Sequence, residues 1–138
     1  MLNRLALFAV VIGATMTLGY PTAAHHATSS IFRQLEEKSL TGTLVKFTNV
    51  NPHAYFYFDV KDPAGGVKSW SFEGPGPGGL RRAGIKIKDD IIPGNAYTFW
   101  FAPSRDGTNT GLLRAVLLNG KKIPLTEGYQ PDDKSQRQ

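Results

Sequence analysis

Cysteine is absent from all 138 residues. That excludes disulfide staples, thiolate metal ligands and anchoring through an acylated N-terminal cysteine. Histidine is almost as scarce, at three copies, and tryptophan and methionine occur twice each. The longest apolar run, Leu5 to Leu18, falls short of the ~20 residues that cross a bilayer as a helix, and no later stretch approaches it. Internal repeats are missing, and so is any block of one charge. The net charge of +5 comes from lysines and arginines scattered among acids. Such a dilute excess favours solubility without forming the basic stripe of a nucleic-acid binder, so nucleic acid is not an expected partner. Catalytic patterns are lacking too. Ser69 and Ser71 have no nucleophile-elbow context. No pair of carboxylates is spaced for acid–base work. The glycine-rich stretch 74–79 lacks the lysine and following helix of a phosphate loop. No enzyme is expected.

What is present begins with an export signal. Arg4 supplies a positive start, Leu5 to Leu18 the apolar stretch, and Thr22-Ala23-Ala24 a small-residue cleavage site. Residues 1–24 therefore read as a cleaved signal peptide. The remainder is one domain's worth of chain, periplasmic or secreted, with no membrane span after cleavage. It divides into an N-terminal arm (25–38), a β-rich domain (39–127) and a polar tail (128–138) expected to be disordered.

In the arm, Ser29-Ser30 caps a short helical turn whose apolar face is Ile31, Phe32 and Leu35, with a packed extended arm as the alternative. From Ser39 the chemistry is that of strands. Thr41, Thr43, Val45 and Phe47 alternate with their neighbours up to Val50, where Asn51-Pro52 ends the run. Ala54 to Val60 carries aromatics on both faces, which implies a strand covered on both sides. Asp62 to Gly66 is a turn and Val67 to Phe72 its hairpin partner. Gly74 to Gly79 reads as irregular, with one helical turn over Leu80 to Ala83. Ile85 and Ile87 alternate with Lys86 and Lys88 before Pro93-Gly94. Strands follow over Asn95 to Ala102 and Leu112 to Leu118, and Asn119-Gly120 turns into a short last strand, Lys122 to Leu125. The sum is all-β: a small OB-like barrel of five to six strands with one short helical turn, an open sandwich being the alternative.

The three histidines are the main candidates for chemistry. Cleavage after Ala24 makes His25 and His26 the first two residues, and His53 follows the Asn51-Pro52 break. A free N-terminal histidine offers its α-amine and ring Nδ1 on one residue. A further imidazole then completes a nitrogen set suited to copper. Either His53 or His26 closes the site on His25, or the His25 amine, the His26 amide nitrogen and the His26 ring bind Cu(II) locally. Zinc is less favoured, with no cysteine or carboxylate nearby in sequence. Solvated histidines beside a cleavage site, and a histidine bonded to its own turn, fit the same residues. Glu73 with Arg81 and Arg82 fits a polar ligand site or a structural ion pair fixing the loop. Tyr55, Tyr57, Phe99 and Trp100 fit a stacking platform or core packing, the latter expected for a strand with two covered faces. Glu73, Arg81, Arg82, Tyr57 and Trp100 are thus the candidates for a metal-free module that binds a small ligand or a periplasmic protein.

The order of these features resembles the small exported bacterial proteins grouped as "domain of unknown function 6152". The resemblance is carried by Ala24-His25-His26, Leu40-Thr41-Gly42-Thr43, Asn51-Pro52-His53-Ala54, Asp59-Val60-Lys61-Asp62 and Trp70-Ser71-Phe72-Glu73-Gly74. It continues through Leu80-Arg81-Arg82-Ala83-Gly84, Pro93-Gly94, Arg105-Asp106-Gly107 and Leu118-Asn119-Gly120-Lys121. This chain departs from the family pattern at Val50, at Ile85 and at Ala27-Thr28. The resemblance implies a periplasmic or secreted β-barrel with histidines at these three places, and it brings no established activity.

Overall fold

The computed structural model describes residues 28–126 and Tyr129. The expected signal peptide, His25, His26 and the rest of the tail lie outside the described residues. The strands are β1 (Lys38–Thr48), β2 (His53–Lys61), β3 (Val67–Pro75), β4 (Ala96–Pro103), β5 (Thr110–Leu118) and β6 (Lys121–Pro124). Two short helices, α1 (Pro77–Arg82) and α2 (Ile87–Asp90), sit between β3 and β4. The sheet order is β3-β2-β1-β4-β5-β6. A parallel pairing of Ser71, Phe72 and Glu73 with Thr110, Gly111 and Leu112 joins β3 to β5 and closes the first five strands into a barrel. β6 is an added outer strand on β5. This is the all-β, OB-like barrel expected from the strand pattern.

Period-two alternation decides what fills it. Phe56 and Phe58 of β2, Phe72 of β3, and Phe99 and Phe101 of β4 point inward and bury their rings against one another. Ring centroids lie 4.4 Å apart for Phe58–Phe99 and 4.9 Å for Phe72–Phe101. With no disulfide, this aromatic cluster carries the core. Extra residues at Val45 in β1 and Arg114 in β5 shift the ladder registers, and bulges of this kind increase the local twist a barrel needs. Asn119 and Gly120 both take positive φ, as a two-residue hairpin turn requires.

Four expectations are corrected. The stretch 74–79 is not irregular. Gly74 and Pro75 finish β3, and Pro77 opens α1. Glycine is required at 74 because a Cβ would lie 2.9 Å from Cε2 of Phe56. Proline is favourable in the first helical turn because its missing N–H would have no partner there. α1 drives Leu80, fully buried, into the core. The Ile85–Lys88 alternation does not make a strand. Asp90 accepts the Lys86 N–H at 2.7 Å and winds residues 87–90 into a helical turn. The arm has no continuous apolar face, because its helix stops at residue 31. Phe32 is buried and bridges to Ser104, whereas Leu35 is 90 % exposed. Finally, β2 is covered on one side only. Tyr55 and Tyr57 face solvent, and Ala54, Phe56, Phe58 and Val60 enter the core.

Candidate functional site

The outer surface of the β2–β3 hairpin brings together His53, Tyr55, Tyr57, Asp59, Ser69 and Glu73. Its construction starts at the loop 49–52 between β1 and β2. The Asn51–Pro52 peptide is cis, and the Pro52 carbonyl accepts the Gly76 N–H at 3.0 Å. A side chain at position 76 has no room, since a Cβ there would lie 2.5 Å from that same carbonyl oxygen. The glycine–proline stretch after β3 therefore clamps the loop that launches β2. Its role in the site is support.

His53 is the first residue of β2 and sits across from Pro75 of β3, with Tyr55 across from Glu73 and Tyr57 across from Ser71. Odd-numbered residues on both strands share the outer face, so His53 and Glu73 meet diagonally. His53 Nδ1 lies 2.6 Å from Glu73 Oε1. The two side chains are 47 % and 18 % exposed. The carboxylate is thus the more sheltered partner, and an N–H on Nδ1 donates to it. This contact engages one ring nitrogen and leaves the other, Nε2, out of it. Further along the same face, the Ser69 hydroxyl donates to Asp59 Oδ1 at 2.8 Å, and the Lys46 ammonium stands 5.5 Å from the centre of the Tyr57 ring.

The other sequence candidates lie elsewhere. Arg81 and Arg82 end α1 and fold back along its first turn. A Cβ on Gly78 would lie 3.7 Å from Arg82 Nη1 and 4.0 Å from Arg81 Nη2. Glu73 contacts His53 across the hairpin. Phe99 is in the core. Trp100 is on the outer side of β4 with the Lys122 ammonium 4.3 Å from its ring centre, so it shares no platform with Tyr55 and Tyr57. His25 and His26 fall outside the described residues. Among those described, no three histidine, cysteine, aspartate or glutamate side chains cluster as a metal-binding group.

Midway along β3, the β4–β5 loop 104–109 abuts the strand through Ser71 N–H donating to the Asn109 carbonyl at 3.0 Å. Asp106 organises this loop. Its Oδ1 accepts the Ser104 hydroxyl at 2.6 Å, the Thr108 N–H at 3.0 Å and the Thr108 hydroxyl at 2.7 Å. These bonds to the ionised form, Ser104 first, lower its pKa to about 2. Arg105 ties the loop to the arm, its Nε donating to the Ser29 carbonyl at 3.0 Å.

The pairing of His53 with Glu73 was missed by sequence reading, although the turn at Asp62–Gly66 encodes it. A hairpin folded about Ala64 sets Lys61 against Val67, and from there each step sets Tyr55 against Glu73 and His53 against Pro75. Stopping β3 at Phe72 hid the contact.

Comparison with known proteins gives a family and nothing further. A family model described as "Family of unknown function (DUF6152)" matches residues 14–115. No curated protein and no solved structure matches the chain.

Proposed function

Since the chain belongs to the DUF6152 family of unknown function, its activity has to be read from its own residues, and we propose that it is a periplasmic or secreted copper-binding module. In this reading His53 supplies one imidazole, and the N-terminal His25 supplies its amine and ring, with His26 as the other candidate ligand. The observation that carries it is the His53–Glu73 contact of 2.6 Å on a half-exposed imidazole. A carboxylate on one ring nitrogen fixes the tautomer and orientation, raises the basicity of the other nitrogen and holds it out for a metal. Copper is favoured over zinc because the donors are nitrogens and the chain has no cysteine. Export is supported by Arg4, the Leu5–Leu18 run and the Thr22-Ala23-Ala24 site. Among the described residues no helix is long and apolar enough to cross a membrane.

Calorimetric titration of the processed protein with Cu(II) tests this. Near-stoichiometric, tight binding is expected, with most of the affinity lost in a version bearing an extra N-terminal Gly-Ser that displaces the α-amine. His53→Ala distinguishes the two forms of the site. A large loss of affinity means that His53 closes it, and no loss means that copper sits on His25 and His26 alone. Equally weak binding by the processed and extended proteins rules copper out.

A further inference from the structure

The solvent side of β2 carries two aromatic rings that the barrel does not need. Tyr55 and Tyr57 are 38 % and 36 % exposed, whereas Phe56 and Phe58 between and beyond them are buried. Two residues along a strand, the phenols stand about 7 Å apart on one face. Across from them lie Thr48 of β1 and Ser71 of β3, and the carboxylates of Glu73 and Asp59 flank the pair toward its two ends. The loop 49–52 bounds the face beyond His53, and the loop 104–109 bounds it beside Ser71. The result is an open strand face with two aromatic rings and hydrogen-bonding neighbours.

Charge decides what fits. The charges on this face balance, Asp59 and Glu73 against Lys61 and a Lys46 that already leans over Tyr57, so a nucleic acid finds no cationic track. Phosphate contacts are the main source of affinity for such ligands, and this face offers them no net attraction. A neutral sugar chain needs no such attraction. The C–H faces of its rings stack on phenols, and its hydroxyls donate to Asp59 and Glu73 and exchange hydrogen bonds with Thr48 and Ser71. We propose that the Tyr55–Tyr57 face binds a neutral oligosaccharide along the β2–β3 hairpin. This site goes beyond copper binding and does not depend on it.

The test titrates the full chain, in EDTA so that no metal takes part, with cellohexaose and chitohexaose, and with a twelve-residue oligothymidylate as the anionic control. Ring-proton NMR shifts at Tyr55 and Tyr57 and calorimetric affinity are the readouts. Binding of at least one hexasaccharide is expected, with shifts confined to these two tyrosines and their neighbours. Tyr55→Ala and Tyr57→Ala should each weaken it about tenfold, and Tyr→Phe only a few-fold, because stacking survives loss of the hydroxyl. Both rings are exposed, so the melting temperature of each variant should stay close to that of the parent. Failure of both sugars to bind at millimolar concentration overturns the proposal. So does unchanged affinity in the two alanine variants, or tighter binding of the oligothymidylate.

Discussion

Glu73 acts through His53. Its carboxylate holds Nδ1 at 2.6 Å, so Glu73→Gln keeps the volume while removing the charge that orients and polarises the imidazole. Cu(II) affinity should fall about 10- to 100-fold, measured by competition with a chromophoric chelator, with the fold unchanged by circular dichroism. Gly76 acts one step further out. In Gly76→Ala the new methyl meets the Pro52 carbonyl oxygen at 2.5 Å, and backbone on both sides leaves little room to yield. The variant should lose about 1–3 kcal/mol in urea unfolding. The ring resonances of His53 should move in NMR spectra, because the displaced loop is the one that launches β2. Little of this pairing was visible in the residues alone. A histidine after Asn51-Pro52 and a glutamate before a glycine–proline stretch look unrelated until β3 is extended to Pro75, which composition argues against. Proline at that position is tolerated because the pairing of β3 with β5 has ended at Glu73.

The elements divide into those with local signals and those made by tertiary contacts. The Asp62–Gly66 and Asn119–Gly120 turns and the presence of β2, β4 and β5 were legible, because turn chemistry and strand composition are local, whereas the one-sided burial of β2 was not. α1 and α2 were not. The first hides in glycines kept for close packing, with Gly79 leaving 2.6 Å between its missing Cβ and Pro75 Cβ. The second is made by Asp90 bonding back to Lys86. The loop 104–109 offers a test by pH. Asp106 titrates at about 2 in the folded chain against an ordinary 3.8. A carboxyl whose folded value is depressed contributes stability that is fully present above its unfolded value and lost as pH falls through its folded value. Urea unfolding at a series of pH values should therefore show a loss between about pH 4 and pH 2 that is absent in Asp106→Asn. The variant should be the less stable of the two at pH 7, since its amide cannot match three bonds to a carboxylate. An identical acid profile in both proteins would show that the hydrogen bonds at this loop do not govern acid stability.

At the scale of the molecule, a barrel without disulfides depends on one aromatic core. Phe72 is fully buried and touches Phe58, Trp70, Phe99 and Phe101. Phe72→Ala should cost about 3–5 kcal/mol. Against a total stability of about 5–15 kcal/mol, that produces a strongly lowered melting temperature or an unfolded chain. The same closed barrel leaves the outer face of the β2–β3 hairpin free of core duty, and the chain sets His53, Glu73, Tyr55 and Tyr57 there. The central claim is that His53 is a copper ligand alongside the N-terminal histidine. Pulsed electron paramagnetic resonance on the processed protein loaded with one equivalent of Cu(II) tests it most directly, by counting the imidazoles whose remote nitrogens couple to the metal. Two are expected in the parent and one in His53→Ala. The same imidazole count in both proteins would contradict the claim.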